Sequence, residues 1–124
     1  MFRTLQIVLF GFCFVDVAEA NQSTIAVYLE DATIMLEGTV TQVEWRNPHI
    51  WFYIDVVGDD GNVTNWGVEF QTAPLRMLRR GWTAESLQVG DVIMVEGALP
   101  RNSELSRVLS RTTILPDGRE LGGR

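Results

Sequence analysis

Residues 34–70 read IMLEGTVTQVEWRNPHIWFYIDVVGDDGNVTNWGVEF, and this stretch decides the fold. Aliphatic and phenylalanine side chains occupy every second position from His49 to Val57, which predicts a strand whose even-numbered residues face a core. The loop from Gly58 to Asn62 is rich in turn-forming residues, and Val63 to Phe70 alternates again. The stretch therefore predicts an antiparallel hairpin.

The strand that precedes this hairpin changes its hydrophobic parity. Apolar side chains occupy even positions as far as Val40 and odd positions from Val43 onward. A bulge between these two residues would keep both sets on one buried face. We therefore expect a long, bent first strand over Ile34–Trp45, followed by a turn at residues 46–48.

Downstream of the hairpin, the spacing of apolar residues changes once to that of a helix and then returns to that of strands. Residues 73–81 read APLRMLRRG, in which the three-residue spacing of Leu75 and Leu78 indicates a short helix. Strands are expected over Val92–Leu99 and Leu105–Leu115. The order predicts a mainly β fold, a small five-stranded OB-like barrel with one short helix between strands 3 and 4. Another small closed or half-open β-barrel is the alternative.

The first twenty residues have the order of a secretory signal peptide. Arg3 precedes an apolar run, Leu5–Val15, and the small residues Ala18 and Ala20 suit the signal peptidase. An uncleaved anchor helix is the alternative, but a span needs about 20 apolar residues. We expect export, most simply to the periplasm. The expected organisation is a cleaved signal peptide (1–20), an N-terminal segment (21–33), the barrel (34–116) and a C-terminal tail (117–124).

The composition, and the motifs that do not occur, argue against several classes of binding and catalysis. A formal net charge of −6 and a pI near 4.6 disfavour a mainly electrostatic nucleic-acid binder. The single cysteine, Cys13, would leave with the signal, and all basic side chains are arginines, which removes thiolate and lysine chemistry. Glycine phosphate loops and the Gly-x-Ser-x-Gly elbow do not occur. We therefore assign no catalytic residue and expect no cofactor.

The outer face of the hairpin carries the candidate ligand-binding residues, which are His49, Trp51, Tyr53, Asn65 and Glu69. The second and third strands of OB barrels often bind ligands through exposed aromatic and polar side chains. In the alternative interpretation, these rings pack for structural reasons and the histidine only bonds to its turn. The expected cross-strand pairs are Trp51 with Glu69, Tyr53 with Gly67, and Asp55 with Asn65.

A second candidate surface is basic. Arg76, Arg79 and Arg80 cluster on the short helix, and Trp82 follows them. These residues are candidates for contact with an anionic partner. Stabilisation of the last helical turn by the macrodipole accounts for the arginines without any partner.

A metal site would have to combine His49, the chain's single histidine, with carboxylates such as Glu44, Asp55 or Glu69. One histidine without thiolates is a poor start for zinc or copper. We therefore assign no metal ligand.

Several motifs occur together in a fixed order. They lie in the segments Gly38–Val56, Asn65–Phe70, Leu78–Gly97 and Leu115–Leu121. In this the chain resembles the exported bacterial family catalogued as domain of unknown function 6152. The resemblance implies a signal-bearing small β-barrel whose activity is not established. Many members start the mature chain with His-His-Ser, whereas Asn21-Gln22-Ser23 stands here, so no metal role is carried over.

These observations favour an exported, non-catalytic binding module for a small molecule or an envelope protein partner. The alternative is a metal-binding, possibly metal-dependent enzymatic, periplasmic protein centred on His49. A purely structural accessory subunit is a third hypothesis. No nucleic acid is expected as a partner and no membrane-spanning segment after signal cleavage, and the oligomeric state stays open.

Export gives the first testable prediction. When the full chain is expressed in an export-competent bacterium, we expect mass spectrometry of the periplasmic protein to show an N terminus at Asn21. Replacing Ala20 with arginine should block processing, because the peptidase requires a small residue there. Recovery of the intact chain from the membrane fraction would contradict cleavage and support an anchor helix.

Overall fold

The computed structural model describes residues 27–121. The expected signal peptide, its cleavage site, residues 21–26 of the expected N-terminal segment and the last three residues of the expected tail lie outside these residues. The elements are β1 (Tyr28–Glu44), β2 (Trp51–Val57), β3 (Val63–Glu69), α1 (Pro74–Arg79), β4 (Val92–Pro100), β5 (Arg107–Ile114) and β6 (Glu120–Leu121).

The central hairpin has the register that the sequence predicts. β2 and β3 pair antiparallel, with Val57 opposite Val63 and Tyr53 opposite Gly67. The even-numbered side chains Phe52 and Ile54 are completely buried, as the alternation requires. The hairpin therefore presents its odd-numbered residues on the outer face.

β1 bends where its hydrophobic parity changes. Its register against β2 shifts between Val40 and Gln42, inside the interval expected for the bulge. Residues 33–39 pair with β4, and residues 39–44 pair with β2 on both sides of the shift. One strand therefore belongs to both halves of the barrel.

A parallel pairing closes the barrel. The strand order is β3-β2-β1-β4-β5-β6, and β3 also pairs with β5. The pairs are Gly67 with Arg107, Val68 with Val108, and Glu69 with Leu109. The mainly β, OB-like barrel with one short helix between β3 and β4 is therefore confirmed.

The barrel extends further at both ends than the sequence suggested. β1 begins at Tyr28 instead of residue 34, and this tyrosine is buried against Ala98 and Leu109. At the other end, the two-residue strand β6 pairs with β5 and buries Leu121 in the core. Such short segments carry little alternation, and neighbouring strands decide whether they are buried. Parts of the expected N-terminal segment and C-terminal tail are thus packed structure.

The short helix is smaller than the segment 73–81. Pro74 occupies its first turn, as expected, and Gly81 follows with a positive φ of 88°. The residues that the helix buries are Pro74 and Met77, whereas Leu75 and Leu78 are exposed. The spacing of the two leucines indicated a helix correctly, but a different face packs on the barrel.

A close approach between β4 and β5 gives the second prediction. A Cβ atom on Gly97 would lie 2.6 Å from the Cβ atom of Val108, closer than packed atoms come. We expect Gly97→Ala to lower the free energy of unfolding by about 1–3 kcal/mol, measured by urea denaturation. Gly67→Ala is the matched control, because its Cβ would make contacts of 3.4 Å with Trp51 and Tyr53. Equal losses would contradict the argument.

Candidate functional site

The outer face of the hairpin carries two aromatic side chains next to a glycine. Trp51 and Tyr53 are neighbours on this face because residues two apart on a strand point to the same side. Their rings are stacked, with centroids 6.5 Å apart and planes inclined by 19°. A Cβ at the opposite position, Gly67, would touch both rings at 3.4 Å. The rings therefore stand over the glycine, which forms a flat floor between them.

His49 and Glu69 form a half-buried pair at one end of this face. Nδ1 of His49 donates a hydrogen bond to Oε1 of Glu69 over 2.9 Å, and the two side chains are 20% and 12% exposed. His49 precedes β2 and Glu69 ends β3, so the antiparallel pairing sets them side by side. The structure thus brings together two residues that lie twenty positions apart in sequence.

Two residues that the sequence did not single out lie beside this pair: Tyr28 adjoins Glu69, and Arg107 adjoins Tyr28. Tyr28 is the first residue of β1, and the Arg107 guanidinium lies 5.4 Å from the centroid of its ring. Burial and then the Glu69 carboxylate raise the pKa of the Tyr28 hydroxyl, and Arg107 opposes this rise. The Tyr28 hydroxyl and the Arg107 Nε are both buried, and neither makes a hydrogen bond of standard geometry within residues 27–121.

Asn65 lies at the opposite end of the face. Its Nδ2 donates to Oδ1 of Asp55 over 2.9 Å and to Oγ1 of Thr41 over 3.1 Å. The cross-strand pair of Asn65 and Asp55 is the one that the register predicted. These bonds hold the amide in place at the rim of the aromatic pair.

An open groove of about 360 Å³ runs over Gly67 between the aromatic pair and the β4–β5 loop. The amide of Gly67 donates to the carbonyl of Ser106 over 3.0 Å, which ties that loop to the floor. An ion pair of 2.8 Å joins Arg46 and Glu44 at the rim. The lining residues are Glu44, Arg46, Trp51, Tyr53, Asn65, Gly67, Leu105, Ser106 and Arg107.

The predicted ligand-binding residues thus divide into two groups. Trp51, Tyr53 and Asn65 line the groove, whereas His49 and Glu69 form the pair beside it. Sequence reasoning missed Arg107 because only the parallel β3–β5 pairing sets it next to Gly67. The buried Val108 was the available signal, since alternation along β5 directs its neighbour Arg107 to the opposite face of the strand.

The basic cluster and Trp82 do not share an environment. Arg76, Arg79 and Arg80 are exposed at or just after α1, where cations favour the helix C terminus. Trp82 packs against the core, and the Arg119 guanidinium lies 5.1 Å from its ring centroid. The tryptophan therefore contributes to the closure of the barrel end, and a partner surface here would consist of the arginines.

Few potential metal ligands surround His49, the residue on which the metal-site hypothesis depends. His49 contacts Glu69, while Glu44 bonds to Arg46 and Asp55 to Asn65. In the described part of the chain, no three histidine, aspartate or glutamate side chains come close enough to hold a metal ion. The structure therefore supplies one carboxylate, not a ligand cage, to this histidine.

Comparisons with known proteins agree with the fold. A model of a family of unknown function, DUF6152, matches residues 12–108. Among curated proteins, none matches the chain. The solved structures that resemble it include two proteins of different origin.

The first is Rim1, a mitochondrial single-stranded DNA binding protein from S. cerevisiae, with a TM-score of 0.52, 11% identity, and coverage of 71% of this chain and 96% of that one. The second is the N-terminal domain of PriB from Thermoanaerobacter tencongensis, with a TM-score of 0.51, 21% identity, and coverage of 69% and 97%. At these identities the likeness shows the OB-like fold alone.

The buried tyrosine gives the third prediction. In Tyr53→Phe protein, Tyr28 is the remaining tyrosine of the chain. Because its folded pKa is raised above an unfolded value of about 10, its contribution to stability is present below that pH and is lost as the pH rises through the folded value. We expect ultraviolet titration to show no phenolate near pH 10. Glu69→Gln should lower the pKa of Tyr28, and ordinary titration in the folded protein would contradict this account.

Proposed function

The chain belongs to the DUF6152 family of unknown function, and we propose that it is an exported, non-catalytic binding module. Its ligand is a small molecule or a short segment of an envelope protein partner. The ligand occupies the groove beside Trp51 and Tyr53.

The observation that carries this proposal is the aromatic pair over Gly67. Two nearly parallel rings border an open groove whose floor is backbone, so a flat group can lie against side chain and sheet together. The groove occupies the β2–β3 face and adjoins the β4–β5 loop, which is where OB barrels bind ligands. A structural role alone would not require these rings to border an open groove.

The polar groups around the groove suit binding better than catalysis. Glu44 and Asn65 are held by Arg46 and Asp55, so their positions are set before any ligand arrives. Within residues 27–121, His49 bonds to a carboxylate and to no serine or threonine hydroxyl, so it has no nucleophile to activate there. Preorganised hydrogen-bonding groups with an aromatic platform are sufficient for recognition.

Charge supports a ligand other than nucleic acid. The two solved structures include a protein that binds single-stranded DNA, and such proteins combine aromatic rings with a positively charged groove. This chain has a net charge of −6, and one of the two arginines in its groove is paired with Glu44. A long polyphosphate would meet repulsion from the protein as a whole.

Export is part of the proposal because the signal-like segment supports it. The described residues contain no helix that is both long and apolar enough to cross a membrane. We propose that the folded barrel acts in the periplasm and that its ligand is found there.

Ligand binding gives the fourth prediction. We expect a panel of monosaccharides, amino acids, dipeptides and aromatic acids to contain a compound that raises the melting temperature and changes tryptophan fluorescence. At a hundredfold excess over its dissociation constant, such a ligand stabilises the protein by about 2.7 kcal/mol. Trp51→Ala and Gly67→Val should each abolish this shift, the first by removing a ring and the second by filling the floor.

Val57→Ala is the matched control, because Val57 is exposed on the same strand but does not line the groove. A shift that survives both groove variants would place the ligand elsewhere and overturn the proposal. If no compound binds, the version of the proposal in which the ligand is a small molecule is wrong. The version in which the ligand is a segment of an envelope protein then predicts that a photo-crosslinking residue at Ser106, but not at Val57, captures one specific envelope protein in cells.

A further inference from the structure

We infer that the groove recognises a ligand with a carboxylate on a six-membered ring that packs against the aromatic pair, and that Arg107 binds the carboxylate. This inference rests on the proposed function, since it assigns a chemical class to the ligand of that groove. It also adds to the site a residue that hydrophobic patterning did not select.

Arg107 stands at the floor of the groove. It is the first residue of β5, and its register partner in β3 is Gly67. A Cβ atom on Gly67 would lie 3.7 Å from the Cβ atom of Arg107 and 3.4 Å from each aromatic ring. Three side chains therefore converge on one point, so a molecule with a single ring can contact all of them.

The charge of Arg107 is not matched by a direct ion pair. Arg46 and Arg119 contact carboxylates at 2.8 and 2.6 Å, whereas Arg107 has no carboxylate within ion-pair distance in residues 27–121. Its guanidinium lies over the Tyr28 ring, and its buried Nε makes no hydrogen bond there. Because Arg107 also lines the open groove, a ligand there can offer an anionic acceptor to this half-buried cation.

Guanidinium geometry favours a carboxylate as that acceptor. The planar fork of arginine matches two carboxylate oxygens, and charge-assisted bonds of this kind are stronger than neutral ones. Stacking on Tyr28 restricts the fork before the ligand binds, which lowers the entropy cost of recognition. A neutral amide of the same shape offers one oxygen and no charge.

The aromatic pair selects for the ring of the ligand, as Arg107 selects for its carboxylate. The rings of Trp51 and Tyr53 are inclined by 19°, so one flat face can lie against either ring without a change of side-chain rotamer. The acidic groups Glu44 and Glu69 near the groove disfavour ligands with several negative charges. One carboxylate on one ring is the combination that fits both features.

Two kinds of compound have this chemistry: an aromatic acid, whose ring is planar, and a hexuronate, whose pyranose chair packs its C–H groups against an aromatic ring. Benzoate and glucuronate represent them, and benzamide and glucuronamide are their neutral counterparts. Binding is followed by NMR titration of the purified protein, observing the Gly67 amide and the Trp51 indole NH. We expect at least one acid to bind about tenfold more tightly than its amide, a factor that a charge-assisted bond provides.

Arg107→Gln should remove this preference, and Arg107→Lys should restore part of it, since a point charge lacks the fork. Arg111→Gln is the matched control, because Arg111 lies on the same strand but outside the groove and donates to the Glu30 carbonyl. The spectrum of each variant reports whether the barrel is folded. If Arg107→Gln unfolds, the comparison of wild type with Arg107→Lys decides the question.

Failure of the inference is distinct from failure of the proposed function. Suppose that an acid and its amide bind equally tightly, and that Trp51→Ala abolishes the binding of both. This result would overturn the role of Arg107 and leave the groove as a binding site. An acid preference that persists in Arg107→Gln would also overturn it. Absence of binding by all four compounds would contradict this ligand class, and a ligand from another class would still support the groove.

Discussion

The parallel pairing of β3 with β5 is the contact on which both the barrel and its groove depend. It closes a sheet that would otherwise expose two edges, and it does so without disulfides in the described residues. The same pairing sets Arg107 beside Gly67, and the neighbouring bond from Gly67 to Ser106 fastens the β4–β5 loop. The pairing that closes the barrel therefore also forms the groove.

The groove owes its shape to a glycine under two rings. In a strand interior, glycine leaves a gap, and here Trp51 and Tyr53 cover it while remaining half-exposed. The rings stabilise the hairpin through this contact and leave an outer surface free for a ligand. The structural and binding interpretations of the aromatic row are therefore compatible, because packing on the glycine leaves part of each ring exposed.

Behind the groove, a half-buried polar cluster joins elements that are distant in the chain. Glu69 receives the bond from His49, raises the pKa of Tyr28, and lies in the strand that pairs with Arg107. Its carboxylate contacts the histidine directly, whereas the Arg107 guanidinium lies over the Tyr28 ring. The balance differs from that of a cationic nucleic-acid groove, even though the fold resembles that of a protein that binds single-stranded DNA.

Local patterns in the sequence were enough to predict the hairpin, its register, the bulge in β1 and the barrel class. The hairpin, its register and the bulge follow from alternation, parity and turn chemistry along neighbouring residues, and the barrel class follows from the order of the elements. The burial of Tyr28 and Leu121, the buried face of α1 and the position of Arg107 were not predictable in this way. They depend on which strands meet at closure, and that meeting is set by packing among residues far apart in the chain. Composition and strand patterns therefore define the barrel, whereas the site exists only once β3 and β5 have joined.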